Sequence, residues 1–285
     1  MKILVTGAAG FIGRQLVAHL AGRHEVIALT RSETQAEPGR QWAAVAMDLA
    51  RPLEAHRLPS RVDVIINLAQ ANVPFPEFAD KLLAVNTAAV QQLLDYARSA
   101  EARRFVLASS GDVYGARIGK CRESDEPFPK SFYGVTKYAA ELLTQPYSDY
   151  FQSCMLRLFQ PYGPAQTGRL IPRMAEHIQH GQPIRLNRDS RPFLSPIFIT
   201  DVIAAFERAS LCDYSGVVNV AGETIVGMRE LAERVGQVLG LAPVFEDTGQ
   251  DVGDLMGDNA RMKKVLELHP SVGLDEGLAC TFGKT

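Results

Sequence analysis

The 285-residue chain has only four cysteines, at 121, 154, 212 and 280, and a single tryptophan. No two cysteines form a CxxC pair, so their spacing supports neither a zinc site nor a disulfide framework, and a reduced, cytoplasmic setting is the simplest fit. Neither sign of charge is in excess: 30 Lys and Arg face 32 Asp and Glu, a net charge of -2. That balance offers no basic face to nucleic acid and no acidic tail. Long apolar runs are missing too. No stretch approaches the roughly 18 residues of a membrane span. Ile3-Leu4-Val5 after Lys2 is too short for the apolar segment of a secretory signal. Neither a membrane nor a nucleic acid is therefore expected as partner. His177 and His180 stand three apart on an expected helix, with no carboxylate evident beside them. They are read as surface residues, and no metal is expected.

What is present is alternation. Strand-like runs at Lys2–Thr6, Glu25–Leu29, Val45–Met47, Val62–Leu68, Arg104–Ser109 and Cys154–Phe159 alternate with helix-like stretches, notably Phe11–Leu20, Glu77–Ser99 and Tyr133–Thr144. Such a pattern predicts βαβ units and an α/β, doubly wound parallel sheet covered on both faces. After Gln160 the prolines at 161, 164, 172, 183, 192 and 196 break the chain into shorter elements. Helices are expected over Leu170–His180, Val202–Ser210 (with Asp201 as a cap), Met228–Leu239 and Asn259–Leu268, and strands over Ser195–Ile199 and Val217–Val220.

The first strand runs into Gly7-Ala8-Ala9-Gly10-Phe11-Ile12-Gly13, and a helix follows. Gly7 permits a tight turn, Gly10 lets the backbone approach a pyrophosphate, and Gly13 lets the helix pack close to the strand. The N–H groups around Phe11 and Ile12 open the helix and attract an anion. The loop predicts a Rossmann dinucleotide-binding domain over residues 1–160 and a smaller C-terminal substrate lobe over 161–285, with 195–220 returning to the large domain. The second strand ends Thr30-Arg31-Ser32. An NAD site usually has a carboxylate here for the ribose hydroxyls, whereas Arg31 and Ser32 suit a 2′-phosphate. NAD or NADP is expected, with NADP favoured.

Tyr133 and Lys137 stand four apart on an expected helix and so share a face. An ammonium group beside a phenol favours the phenolate and draws its pKa towards working pH. Such a phenol acts as general acid or base at an alcohol or carbonyl. Ser109 and Ser110 end a strand, where a hydroxyl reaches the carboxyl edge of the sheet.

Read together, these motifs resemble the extended short-chain dehydrogenase/reductase superfamily, the NAD(P)-dependent sugar epimerase/dehydratase type. The likeness extends over nearly the whole chain: TGAAGFIG at Thr6–Gly13, Met47-Asp48-Leu49, Asn67-Leu68-Ala69-Gln70, Val85-Asn86-Thr87, LASSGDVYG at Leu107–Gly115, the Tyr133–Lys137 helix, RLFQPYGP at Arg157–Pro164, Asn219-Val220-Ala221-Gly222 and Asp258-Asn259-Ala260. The resemblance implies catalysis by Ser110, Tyr133 and Lys137, the last also on the cofactor ribose. It also implies cofactor contacts from Asp48, Leu49, Leu68, Ala69, Gln70 and Asn86. By the same likeness the chain forms a homodimer through the Glu77–Ser99 and Tyr133–Thr144 helices.

Several positions depart from that pattern. Asp112 stands alone where sugar dehydratases carry an Asp-Glu pair, which disfavours dehydration, and it is read as a substrate contact or a turn cap. Gln160 replaces a common asparagine. Arg185, Arg188 and Arg191 cluster, but not at the usual offset from Asp201. Asn72, Ser110, Asp112, Gln160 and Arg191 are the expected substrate contacts, and Phe75 and Phe78 are read as packing residues. The leading expectation is an epimerase or ketoreductase acting on a nucleotide sugar. The alternatives are an NADPH-dependent carbonyl reductase for a smaller substrate and a dinucleotide-binding sensor without turnover.

Overall fold

The computed structural model describes residues 1–32 and 41–283. Seven strands form one sheet: β1 (Lys2–Thr6), β2 (Glu25–Thr30), β3 (Ala43–Ala46), β4 (Val64–Asn67), β5 (Arg104–Ser110), β6 (Gln152–Leu158) and β7 (Gly216–Val220). Every neighbouring pair is parallel. The order across the sheet is β7-β6-β5-β4-β1-β2-β3. This is the doubly wound arrangement expected. Strand order reverses between β1 and β4, so the crevice at their carboxyl ends is the switch point where such sheets bind ligands.

Nine α-helices appear among the described residues: α1 (Phe11–Ala21), α2 (Ala79–Leu83), α3 (Ala89–Ser99), α4 (Phe132–Thr144), α5 (Leu170–Gln179), α6 (Ile199–Leu211), α7 (Met228–Leu239), α8 (Ala260–Val265) and α9 (Leu274–Phe282). Alternate strand residues serve opposite faces of a sheet. Leu4, Ile65, Phe105 and Leu107 pack with Leu93, Leu94 and Ala97 of α3. Ile3, Val5, Ile66 and Val106 pack with Leu16 and Leu20 of α1 and Phe206 of α6. All four residues of β4 are buried, as a central parallel strand requires. Beyond the sheet, α5 packs on α7 and α7 on α9. Ile184–Leu186 pairs in parallel with Phe245–Asp247 beside them.

Tertiary contacts alter three local expectations. The helix expected over Glu77–Ser99 is α2 and α3 joined by a π-helical turn, Ala84–Ala88. That turn contains the fully buried Asn86. The strand expected over Ser195–Ile199 shortens to Ile197–Phe198, paired with Pro161–Tyr162. Asp201 does not cap its helix, because α6 begins at Ile199 after Phe198. Its buried carboxylate instead accepts the Ser271 N–H at 3.0 Å, the Ser271 hydroxyl at 2.7 Å and the Val272 N–H at 3.3 Å, which ties the approach to α9 onto α6.

Candidate active site

The glycine loop lies between β1 and α1 at the switch point. Gly7 has φ +66°, and a Cβ there would stand 2.7 Å from the Ala69 backbone nitrogen. A Cβ on Gly13 would collide with the Gly7 carbonyl oxygen. The loop thus accepts only glycine at both places without rearrangement. Thr6 secures the neighbouring loop, accepting the Ala69 N–H on Oγ1 at 3.1 Å while its own hydroxyl donates to Asn67. Gly10 caps α1 with extended backbone and no side-chain cap. First-turn N–H groups at such a terminus suit a pyrophosphate, so the cradle fits the diphosphate of a dinucleotide.

Ser110 ends β5, and its hydroxyl accepts the Asp112 N–H at 3.1 Å, capping the turn Gly111–Tyr114. Ser131 caps α4 through the Gly134 N–H at 2.9 Å, and this sets Tyr133 in the first turn. The Tyr133 hydroxyl donates to Gln70 Oε1 at 2.7 Å, and Ser110 is near enough to lower its pKa slightly. Arg169, immediately before α5, completes the cluster. Asn72, with its amide oxygen turned inward, accepts from Arg169 Nη2 at 3.2 Å and from Nη1. Burial raises the Asp112 carboxyl above its ordinary pKa, against the pull of the Ser110 hydrogen bond and the Arg169 charge. Burial also holds Tyr133 well above the usual phenol value, and the Asp112 charge adds to the rise; Arg169 and Ser110 oppose it. The Tyr–Lys spacing predicts a lowered phenol pKa. In the protein alone desolvation outweighs that effect, and the phenol remains protonated at neutral pH.

Lys137 lies one turn along α4 and is buried, only 2% exposed. Burial draws its ammonium down to about 8, while Glu141 pulls the other way. Glu141 is held by Arg157 through Nε at 2.9 Å and Nη2 at 2.6 Å, and by the Ser109 hydroxyl at 2.5 Å. The Arg157 guanidinium also covers the Tyr114 ring, 4.5 Å from its centroid. Tyr114 in turn donates to Asn219 Oδ1 at 2.8 Å. A buried chain of partners therefore runs from α4 through β6 to β7. A group offering hydroxyl acceptors to Lys137 restores stabilisation that the ammonium loses on leaving water, which is what a cofactor ribose provides.

The other expected site residues divide by their partners. Asn86 accepts the Ala71 N–H at 2.7 Å and donates to Ala71 O at 3.0 Å and Thr136 Oγ1 at 3.1 Å, linking the loop after β4 to α4. Thr30 is buried and donates to Ser32 O at 2.8 Å, while Arg31 and Ser32 are exposed. Asp48 accepts the Ala50 N–H at 3.1 Å beside buried Leu49. Leu68 is buried and Ala69 half-buried. Gln160 adopts a left-handed backbone, φ +46°, where the chain leaves β6. Arg185, Arg188 and Arg191 each face an acid of the 246–254 segment: Glu246 at 3.6 Å, Asp251 at 3.4 Å, and Asp254. Phe75 and Phe78 are not core packing residues but exposed; Phe75 stacks on Phe132 with centroids 4.6 Å apart. Sequence reasoning missed Arg169, Glu141 and Arg157, whose partners all come from distant segments. No group of three or more potential metal ligands occurs among the described residues, and no helix among them is long and apolar enough to cross a membrane.

A doubly wound sheet, a glycine cradle at its switch point and a Ser–Tyr–Lys set beside it define a nicotinamide-dinucleotide enzyme of the extended short-chain type. Residues 3–221 match the NAD dependent epimerase/dehydratase family, to which the chain belongs. It is 30% identical over 99% of its length to a UDP-glucose 4-epimerase of Mycolicibacterium smegmatis, covering 97% of that protein. It is 29% identical over 96% of its length to a dTDP-4-dehydro-6-deoxy-D-allose reductase of Streptomyces bikiniensis, covering 94%. Among solved structures, MoeE5 in complex with UDP-glucose and NAD superposes with a TM-score of 0.88 at 29% identity, over 99% of this chain and 97% of that one. The expected class, an NAD(P)-dependent epimerase or ketoreductase, agrees with the matched family and with the epimerase and reductase relatives.

Proposed function

We propose that the protein is an epimerase acting at a secondary alcohol of a uridine- or thymidine-diphosphate sugar, with its dinucleotide kept through the cycle. The observation that supports this reading is Tyr133 bonded to Gln70, beside the Ala69 backbone that Gly7 packs against, with Ser110 ending β5 and buried Lys137 one turn along α4. Tyr133 exchanges a proton with the sugar oxygen, and Ser110 hydrogen-bonds that oxygen as charge develops. Lys137 orients the cofactor ribose. Bound beside these residues, a nicotinamide would supply hydride transfer at the same carbon. Gly7, Gly10 and Gly13 with the Phe11 and Ile12 N–H groups receive the pyrophosphate; Asp48, Leu49, Leu68 and Ala69 border the adenosine side. Asn72, Asp112, Gln160 and Arg169 border the sugar. Arg191, already paired with Asp254, reaches the diphosphate only by sharing its guanidinium.

Native mass spectrometry of the purified protein, followed by incubation with UDP-glucose and related nucleotide sugars, tests the reading. Retained NAD and interconversion of sugar epimers without added cofactor support it. An empty site that fills with NADPH and consumes it stoichiometrically supports the second reading, a ketoreductase. The exposed Arg31 and Ser32 and the lack of a carboxylate at Thr30 favour that alternative.

The protein further acts as a cytoplasmic homodimer on this proposal. Val135 and Leu142 stand seven apart on α4 and are 46% and 45% exposed, with Leu83 of the adjoining α2 at 45%. Seven residues bring side chains to the same face of a helix, so α4 offers apolar area to a second copy.

A further inference from the structure

At the amino-terminal end of the sheet, away from Ser110, one arginine holds a thiol on the face of the sheet that carries a second. Arg104 opens β5 and stands in register with Gln152, which opens β6. Its guanidinium bonds the Gln152 side chain, the Cys212 carbonyl, the Tyr214 carbonyl at 3.1 Å and Cys212 Sγ at 3.8 Å. Gln152 and Cys154 lie two apart on β6 and so project from the same face. Cys212, just past α6, is thereby held against the side of β6 that carries Cys154. β7 closes the arrangement, with Gly216 in register with Cys154. Both sulfurs belong to one apolar cluster, Cys154 buried within it and Cys212 packed against it. Cys154 is fully buried and Cys212 is half-buried.

We propose that Cys212 is a peroxide-reactive thiolate and Cys154 its resolving partner, a redox modification site separate from the dinucleotide crevice. The neighbouring Cys154 thiol most strongly favours the Cys212 anion and the Arg104 charge adds to it, so that against the opposing effect of burial the Cys212 pKa falls to about 6. Cys154 itself is held protonated by that same interaction and by burial. Cys212 sulfur attacks one oxygen of hydrogen peroxide, the O–O bond breaks, and the departing hydroxide takes up the proton that the Cys212 thiol had released and becomes water. The sulfur is then a sulfenic acid. Cys154 sulfur attacks it, the S–O bond breaks, and the leaving hydroxide takes the Cys154 proton as water. The products are one disulfide and two waters, with the peroxide as the only oxidant.

Exposed Cys280 is the internal reference. Brief iodoacetamide treatment of the full-length protein at neutral pH, read by peptide mass spectrometry, labels Cys212 about tenfold faster than Cys280 on this proposal. Stoichiometric hydrogen peroxide then yields a Cys154–Cys212 linked peptide pair lighter by two hydrogens. In Cys154→Ser the oxidation stops at a Cys212 sulfenic acid that dimedone traps. Faster labelling of Cys280 than of Cys212 would overturn the proposal. So would peroxide oxidation of the wild-type protein that leaves Cys154 and Cys212 unlinked. Neither readout depends on turnover, so this test and that of the proposed function fail separately.

Discussion

At the scale of single residues, stability depends on where charge is tolerated. Lys137 is fully enclosed, and its folded pKa of about 8 lies below the ordinary 10.5. Below pH 8 both folded and unfolded states hold the proton, and the burial penalty is complete. Between the two values the unfolded chain binds more protons, so stability rises with pH across that window. Lys137→Met should therefore stabilise the cofactor-free protein at neutral pH by about 1–3 kcal/mol, a gain that shrinks as pH approaches the ordinary lysine value. Urea unfolding of both proteins across the window checks it, and equal stability throughout would refute the claim. Glu141 presents the opposite case. Its carboxylate is the buried partner of Arg157, and Glu141→Gln leaves that cation poorly compensated. A loss of about 3–5 kcal/mol is expected by the same measurement.

Residues were legible in the sequence in proportion to how local their meaning is. Gly7, Gly13, Tyr133 and Lys137 declare themselves because a turn and one helical repeat define their roles. Asp201 misled because its position before an apolar run imitates a helix cap, whereas its carboxylate is taken by Ser271 and Val272. Arg169 had no local signal at all, since Asn72 and Asp112 reach it only through the fold. The phenol acidity was misjudged for a related reason: burial is a property of the assembled site.

Among elements, the β1–loop–α1 unit carries the cofactor claim. Gly13→Ala forces a methyl group against the Gly7 carbonyl, so α1 must move off β1. The variant should lose at least about tenfold in dinucleotide affinity, measured by titration of nicotinamide fluorescence, because the helix N-terminus no longer meets the pyrophosphate. Unchanged affinity would remove the loop from the site. Strand and helix cores followed the period of apolar residues closely. The exception is the π-helical turn at Ala84–Ala88, which periodicity could not reveal. It places Asn86 where the side chain bridges Ala71 and Thr136, so its value lies in contacts outside its own helix.

For the whole molecule, the parallel sheet order follows from alternating βαβ units, and the crevice follows from that order. The apolar residues left on α2 and α4 extend the argument to a pair of chains. Leu142→Glu places a charge in the proposed interface and should shift sedimentation from dimer to monomer; a wild-type monomer at every concentration would contradict the pairing. The chemistry of the whole molecule turns on proton exchange between Tyr133 and the hydroxyl of a nucleotide sugar beside a dinucleotide. It is tested most directly by loading wild type and Tyr133→Phe with equal amounts of oxidised dinucleotide and following nicotinamide reduction on addition of nucleotide sugars. Reduction should be rapid in the wild type and slowed about 10²–10⁴-fold in the variant at unchanged cofactor content. Equal rates in the two proteins, or no reduction by any nucleotide sugar with either NAD or NADP bound, would contradict it.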